Sequence, residues 1–332
     1  MTIHVDCQSH VFPEKYAEIL TRNNGLVRTL KKDDGYLISY YGGMQTFQLK
    51  LGDYHPGKKV RDMDEAGIDV SVLSINIPGP ELLTPDLGVE GARVCNDYLH
   101  ELCGRYPGRF VGLAALPLQD IESALEEFDR AVQKLHMRGV LLPSHVGGKP
   151  VDSPGLTPLF ARAERERIPL VLHPTVPTWG EVLKDYSMIP MMGLMVETSI
   201  AMLRLILSGL LERYPGLILV HPHCGGILPY LMPRIEEQTE VKRRGREHIS
   251  QPPSEYYRKV YLDMVSPSKQ AMEYVYQFSS PDHLLFGSDH PWVKIQTLRG
   301  YFESLPIPDS AKEMILGGNA CRIFRIQSPS SK

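Results

Sequence analysis

Gly216-Leu217-Ile218-Leu219-Val220-His221-Pro222-His223-Cys224-Gly225-Gly226 is the stretch on which the reading of the fold turns. Its apolar run is short, does not alternate, and is bounded by Pro215-Gly216 on one side and Pro222 on the other. Such a run reads as a strand buried on both faces, as in a parallel sheet. The residues before it, Glu197–Tyr214, read as a helix that stops at Pro215-Gly216. The local order is therefore helix, turn, buried strand, and then histidines at the strand's carboxyl end.

The same order recurs along the chain. Strands are expected at Ile3–Gln8, Asp69–Ile75, Phe110–Ala115, Gly139–Pro143, Pro169–His173, Leu217–His223, Lys259–Met264 and Leu284–Asp289. Helices are expected between them at Val89–Arg105, Ile121–Leu135, Leu156–Glu166, Glu197–Tyr214, Pro233–Arg246 and Ser268–Phe278. Eight strands alternating with helices predict an α/β fold, a closed (β/α)8 TIM barrel rather than an open doubly wound sheet. No Gly-x-Gly-x-x-Gly follows any strand, which argues against a dinucleotide site. Residues 21–54 do not fit one β/α unit. The piece Gly35-Tyr36-Leu37-Ile38-Ser39-Tyr40-Tyr41-Gly42-Gly43 suggests a small β insertion after strand 1, lying over the barrel mouth. The expected organisation is one domain over 1–327, including that insertion, and a polar tail at 328–332.

Composition narrows the function class. The 332 residues carry 36 Lys+Arg against 39 Asp+Glu, a formal net charge of −3. That balance argues against a nucleic-acid-coating surface, which needs a basic face. Charged residues are 23% and hydrophobic residues 42%, an ordinary globular mixture. No apolar run reads as the roughly 20 residues of a membrane span, and the start lacks the pattern of a signal peptide. The five cysteines are odd in number and lack Cys-x-x-Cys spacing, which suits reduced thiols in a cytoplasmic protein.

In a (β/α)8 barrel the active site lies at the carboxyl ends of the strands. Four of those ends carry metal-ligand residue types: Gln8-Ser9-His10, His173-Pro174, His221-Pro222-His223 and Ser288-Asp289-His290. Alternation places Asp6, Gln8 and His10 on one face of strand 1.

With these motifs the chain resembles the amidohydrolase-related family that includes 2-amino-3-carboxymuconate-semialdehyde decarboxylase. The matching pieces include Asp6-Cys7-Gln8-Ser9-His10, Met63–Val70, Leu116–Asp120, Pro169–Pro174 and Glu197-Thr198-Ser199. Leu205–Gly209, His223–Gly226, Pro253–Tyr256, Gly287–Asp289 and Gly318–Ala320 follow in the expected order. The resemblance implies a metal site of Gln8, His10, His173 and Asp289, with His223 as acid/base and Asp289 as a further proton acceptor. Two imidazoles and a carboxylate suit zinc, and an amide oxygen makes manganese more tolerable. Gln8 stands where the family usually has His. The outcomes left open are a weaker metal site, one compensated by His221, or none.

The resemblance implies a metal-dependent decarboxylase, a carbon–carbon lyase, acting on a small ring-derived or unsaturated carboxylic acid. A hydrolase of an amide, lactone or activated C–C bond is the alternative on the same ligands, and a silent small-molecule-binding barrel is a third reading. One family branch uses an Arg in the insertion to hold a carboxylate; that place reads here as Phe47, with Gln45 and Gln48 nearby. Another branch carries Glu where this chain has Gly226. His145, Trp179 and Tyr186 are further candidates to line the pocket, whereas Cys224 is expected to point away from His223. The partners implied are a small carboxylic acid and further copies of the chain, as a dimer or tetramer, with no nucleic acid and no membrane.

Overall fold

The computed structural model describes residues 2–327. Its strands are β1 Val5–Val11, β2 Val27–Lys32, β3 Gly35–Tyr40, β4 Gln45–Leu49, β5 Val70–Ile75, β6 Phe110–Ala114 and β7 Gly139–Pro143. They continue with β8 His145–Val146, β9 Lys149–Pro150, β10 Leu170–His173, β11 Leu219–His221, β12 Tyr261–Asp263 and β13 Leu284–Leu285. Eight of them, β1-β5-β6-β7-β10-β11-β12-β13, form one parallel sheet in chain order. The ring is brought together between its first and last strands. Cys7 N–H donates to Phe286 O (2.9 Å), Asp289 N–H to Gln8 O (2.8 Å) and His10 N–H to His290 O (2.8 Å). The (β/α)8 barrel is therefore the fold, and its seam runs through the residues singled out in the sequence.

Every residue of β1, β5 and β10 is buried, as expected for strands with side chains inside the barrel and beneath the helices. β1 extends three residues beyond its expected end, carrying His10 into the sheet. The register of β1 against β5 shifts between Asp6 and Ser9. Such a bulge re-aims side chains near a site.

Two helix boundaries differ for identifiable reasons. The helix read over Glu197–Tyr214 runs from Leu194 to Leu207, then restarts at Leu210. Gly209 separates the pieces at φ +73°, where a Cβ would lie 2.2 Å from His248 O. Pro233 does not begin a helix; it lies inside Leu228–Glu236. Lacking an N–H, Pro233 cannot bond the Pro229 carbonyl one turn back, and the Tyr274 hydroxyl donates to it instead (3.1 Å).

Within 21–54 the structure has three antiparallel strands, in the order β2-β3-β4, where two short pieces were expected. Side chains on one face of this sheet, Val27, Tyr36, Ile38, Tyr40 and Leu49, are buried in the main core. The opposite face is largely solvated. The helical run Asp185–Leu207 is long and apolar enough to cross a membrane by composition alone, contrary to the sequence expectation. Half of its most apolar 18-residue window is buried inside the protein. Its Glu197 is buried and accepts from Trp179 Nε1 (2.6 Å). The expected tail, 328–332, lies outside the described residues.

Candidate active site

At the carboxyl ends of the strands the structure brings Gln8, His10, His173, His223 and Asp289 together. Nε2 of His10 lies 2.9 Å from Asp289 Oδ1 and 3.4 Å from His173 Nε2. His223 Nε2 lies 3.7 Å from the other Asp289 oxygen. The Gln8 amide faces the same point, its Nε2 3.4 Å from both His223 Nε2 and Asp289 Oδ1, while its buried Oε1 has no partner.

The backbone is bent to deliver these groups. His223, Cys224 and Asp289 all have positive φ, between 55° and 60°. Non-glycine residues held in the left-handed region cost free energy and cluster at functional sites. The turn after β11 is tied down by Asp263 at the end of β12, whose Oδ1 accepts from His223 N–H (2.7 Å) and Val265 N–H (3.0 Å). Burial raises the Asp263 carboxyl to about 6. Asp263 was missed in the sequence, although its place at the end of an expected strand was the available signal.

Behind Asp289 lies a buried polar network. Asp6 accepts from Ser288 N–H (2.8 Å) and Ser288 Oγ (2.6 Å), so it braces the end of β13 instead of joining Gln8 and His10. Lys59, fully buried, donates to Ser9 Oγ (2.6 Å) and meets His290 Nδ1 (2.7 Å). His290 Nε2 in turn meets Asp62 (2.8 Å).

Electrostatics follow from this packing. Burial, then His10, push the His173 imidazole down to about 3, so it is neutral near pH 7. Burial would raise Asp289, yet the hydrogen bond from His10 and the nearby His223 imidazole hold it well below the usual carboxylate range. Burial opposes protonation of His223, but the adjacent Asp289 carboxylate prevails and raises it.

The donor set fits a divalent cation. One ligand atom from each of His10, His173 and Asp289 lies within 4.8 Å of the others. Two donors each about 2.1 Å from one ion are separated by about 3.0–3.4 Å at octahedral to tetrahedral angles. The 2.9 and 3.4 Å separations here are close to that range. The far nitrogens are also engaged: His10 Nδ1 meets Ser74 Oγ (2.9 Å) and His173 Nδ1 meets Pro174 O (3.0 Å). Pro174 O can only accept, so His173 carries its proton on Nδ1 and aims its Nε2 lone pair inward, while Ser74 Oγ holds the His10 ring, whose Nε2 meets Asp289.

Other candidates have different places. His221 Nδ1 bonds the Tyr257 hydroxyl (2.8 Å), while its Nε2 is buried without a partner, outside the His10–His173–Asp289 cluster. His145 does not line the central cavity; it accepts from Gly148 N–H and holds Val176 O (3.0 Å each). Trp179 braces Glu197, and Tyr186 is 87% exposed. Cys224 lines the same cavity as His223, because the turn ends strand alternation before it; burial pushes its thiol up, which opposes a nucleophilic role.

Above the cluster opens a cavity of about 700 Å³. Asp289, His173 and His223 lie at its base, while Phe47, Leu194, Met195, Val265 and Trp292 are among its walls. Gln45 and Phe47 of β4 reach it, so the insertion does contribute to the barrel mouth.

A family model described as amidohydrolase matches residues 5–326. The chain is 27% identical over 272 residues to a 2-amino-3-carboxymuconate-6-semialdehyde decarboxylase of Dictyostelium discoideum, covering 80% of this chain and 76% of that one. Among solved structures it resembles 5-carboxyvanillate decarboxylase from Sphingomonas paucimobilis, with TM-score 0.87 and 26% identity over 98% of this chain and 100% of that one. It also resembles a dihydroxybenzoic acid decarboxylase from Polaromonas, solved with manganese and the inhibitor 2-nitroresorcinol. That match has TM-score 0.82 and 26% identity, over 98% of this chain and 97% of that one.

Proposed function

The chain belongs to the amidohydrolase family, and from that premise we propose that it is a metal-dependent decarboxylase of a small, ring-derived carboxylic acid. The observation that carries this reading is the convergence of His10, His173 and Asp289 at the base of a substrate-sized cavity that His223 also lines. The decarboxylases named above share the fold over nearly their whole length.

His10, His173 and Asp289 are the proposed ligands, with Gln8 as a fourth through its amide oxygen. Rotating the Gln8 carboxamide by half a turn places Oε1 where Nε2 now faces the cluster. Zinc suits the two imidazoles; manganese, present in the Polaromonas structure, is the second candidate. When bound, the ion supplies positive charge against the substrate carboxylate or a neighbouring oxygen.

The remaining work belongs to the chain. The apolar walls exclude water from the ring. His223 carries a proton to the ring carbon that bears the carboxylate, a role imidazole fills because it titrates near neutrality. The carbon–carboxylate bond then breaks, its electron pair returns to the ring, and carbon dioxide leaves. Asp289 holds the imidazoles of His10 and His223 in register.

Elemental analysis, with and without chelator, should find a divalent ion and loss of carbon dioxide release on its removal. Activity unmoved in metal-free protein would sink the mechanism. His223→Ala should lower turnover by about 10²–10⁴ while metal content is retained; full turnover would remove His223 from proton transfer. Oligomerisation as a dimer or tetramer is part of the same proposal. Val182, Tyr186, Met191 and Ile200, all exposed on the segment after β10, support it.

A further inference from the structure

The cavity above the cluster differs in charge between base and walls. Apart from a bound ion, the His223 imidazole at the base is the group that can carry positive charge, since His173 is neutral near pH 7; no Lys or Arg among the described residues lines the cavity. The walls are mostly aliphatic and aromatic, with a few neutral polar side chains.

Those neutral groups are partly committed. Asn76 Nδ2 donates to the Tyr54 hydroxyl (2.6 Å), and Asn76 Oδ1 accepts from Trp292 Nε1 (3.4 Å). Gln45 and Ser266 remain to meet a hydroxyl or carbonyl. Phe47, on the same face of β4, is fixed between two rings: Tyr40 stacks on it and Trp292 meets it edge-on, each with centroids 6.1 Å away. Gln48 faces the other side and engages Asp34. β4 thus presents an aromatic surface, and no cation, to the substrate.

A carboxylate at the base meets the implied ion. A second one would lie against these walls, where no cation compensates its lost hydration. At about 700 Å³ the cavity also has room for substituents on a single ring. We propose that this site takes acids whose only negative charge is the reacting carboxylate and whose body is bulky and apolar, and that Phe47 is the residue that turns away acids with a second anionic group. The assignment rests on the decarboxylase reading for the carboxylate's orientation, but its binding preference is measurable without turnover.

The experiment uses purified metal-loaded protein and 2-hydroxybenzoates substituted at each ring position in turn with methyl, propyl or carboxylate. Calorimetry measures binding, and headspace analysis measures carbon dioxide. At the best-tolerated position the alkyl acid should bind at least about tenfold more tightly than its carboxylate counterpart, a difference of about 1.4 kcal/mol. Phe47→Arg should shrink or reverse that ratio by a similar factor with metal content unchanged. Equal or tighter binding of the dicarboxylate by the wild type overturns the proposal. So does a ratio unmoved in Phe47→Arg, or no binding by any acid. Should that variant not fold, the wild-type ratio decides alone. Selective binding without carbon dioxide release from any acid would refute the decarboxylase reading and leave the specificity standing; release with the preference inverted would do the opposite.

Discussion

Ser74, on β5, touches neither the cavity nor the shared point between the ligands, yet its hydroxyl lies 2.9 Å from His10 Nδ1. Its role is to fix the orientation of that ring. Groups of this kind typically contribute about 10- to 100-fold to metal affinity or activity. Ser74→Ala should therefore lower metal affinity by about that factor without a large loss of thermal stability, as read by chelator competition. Unchanged affinity would show that packing alone holds His10. Asp263 performs the corresponding task for His223 through the backbone. His10, His173, His223 and Asp289 were legible as strand-end residues, but Ser74 and Asp263 were not. Their importance depends on which neighbour they meet across the barrel, and sequence spacing does not encode that.

At the scale of elements, the turn after β11 shows how packing selects residue types. Gly226 has φ +60° and ψ −121°, and a Cβ there would lie 2.4 Å from Ser199 Oγ and 2.7 Å from Met195 O. The Glu that one family branch carries at this place has no room here. Ser199 donates to Met195 O (2.7 Å) and accepts from Ile227 N–H (2.9 Å), so it ties the turn to the helix Leu194–Leu207. Ser199 of the Glu197-Thr198-Ser199 motif is thus scaffolding for the His223 turn, whereas Glu197 holds Trp179. Gly226→Ala should cost about 1–3 kcal/mol from backbone conformation alone, with steric overlap adding to it. A lowered melting temperature with reduced turnover is expected; a wild-type melting curve would contradict the account. The helix boundaries at Gly209 and Pro233 have the same kind of cause. Each is settled by a distant atom, His248 O in one case and the Tyr274 hydroxyl in the other.

For the whole molecule, Glu81 couples stability to pH. It is only 7% exposed and lies close over Gly79. Burial pushes its carboxyl up to about 7 from an ordinary 4.5, although a hydrogen bond from its own backbone opposes the rise. The folded state therefore holds this proton more tightly than the unfolded chain does. Stability attributable to Glu81 is fully present below about 4.5 and is lost as pH rises through 7. Glu81→Gln should then melt higher than the wild type at pH 8, by an increment on the order of 1–3 kcal/mol or several degrees. The difference should fall below about 1 kcal/mol at pH 5 and vanish at more acid pH. Melting curves that differ equally at both pH values would place the effect elsewhere.

The pattern of residues along the chain settled the barrel and which strand ends carry His10, His173, His223 and Asp289. Runs of buried β-branched and aliphatic residues must pair with one another, and chain order fixes which ends they share. His10, His173, His223 and Asp289 therefore share one end of the barrel. Tertiary structure decided the rest: that Asp6 braces Ser288, that Cys224 joins the cavity wall, and that His145 and Trp179 hold loops. It also decided that Phe47 faces the substrate space without a compensating cation. Each of these depends on bulges, left-handed turns and contacts between distant segments, which are set by packing in three dimensions after the local pattern has been satisfied.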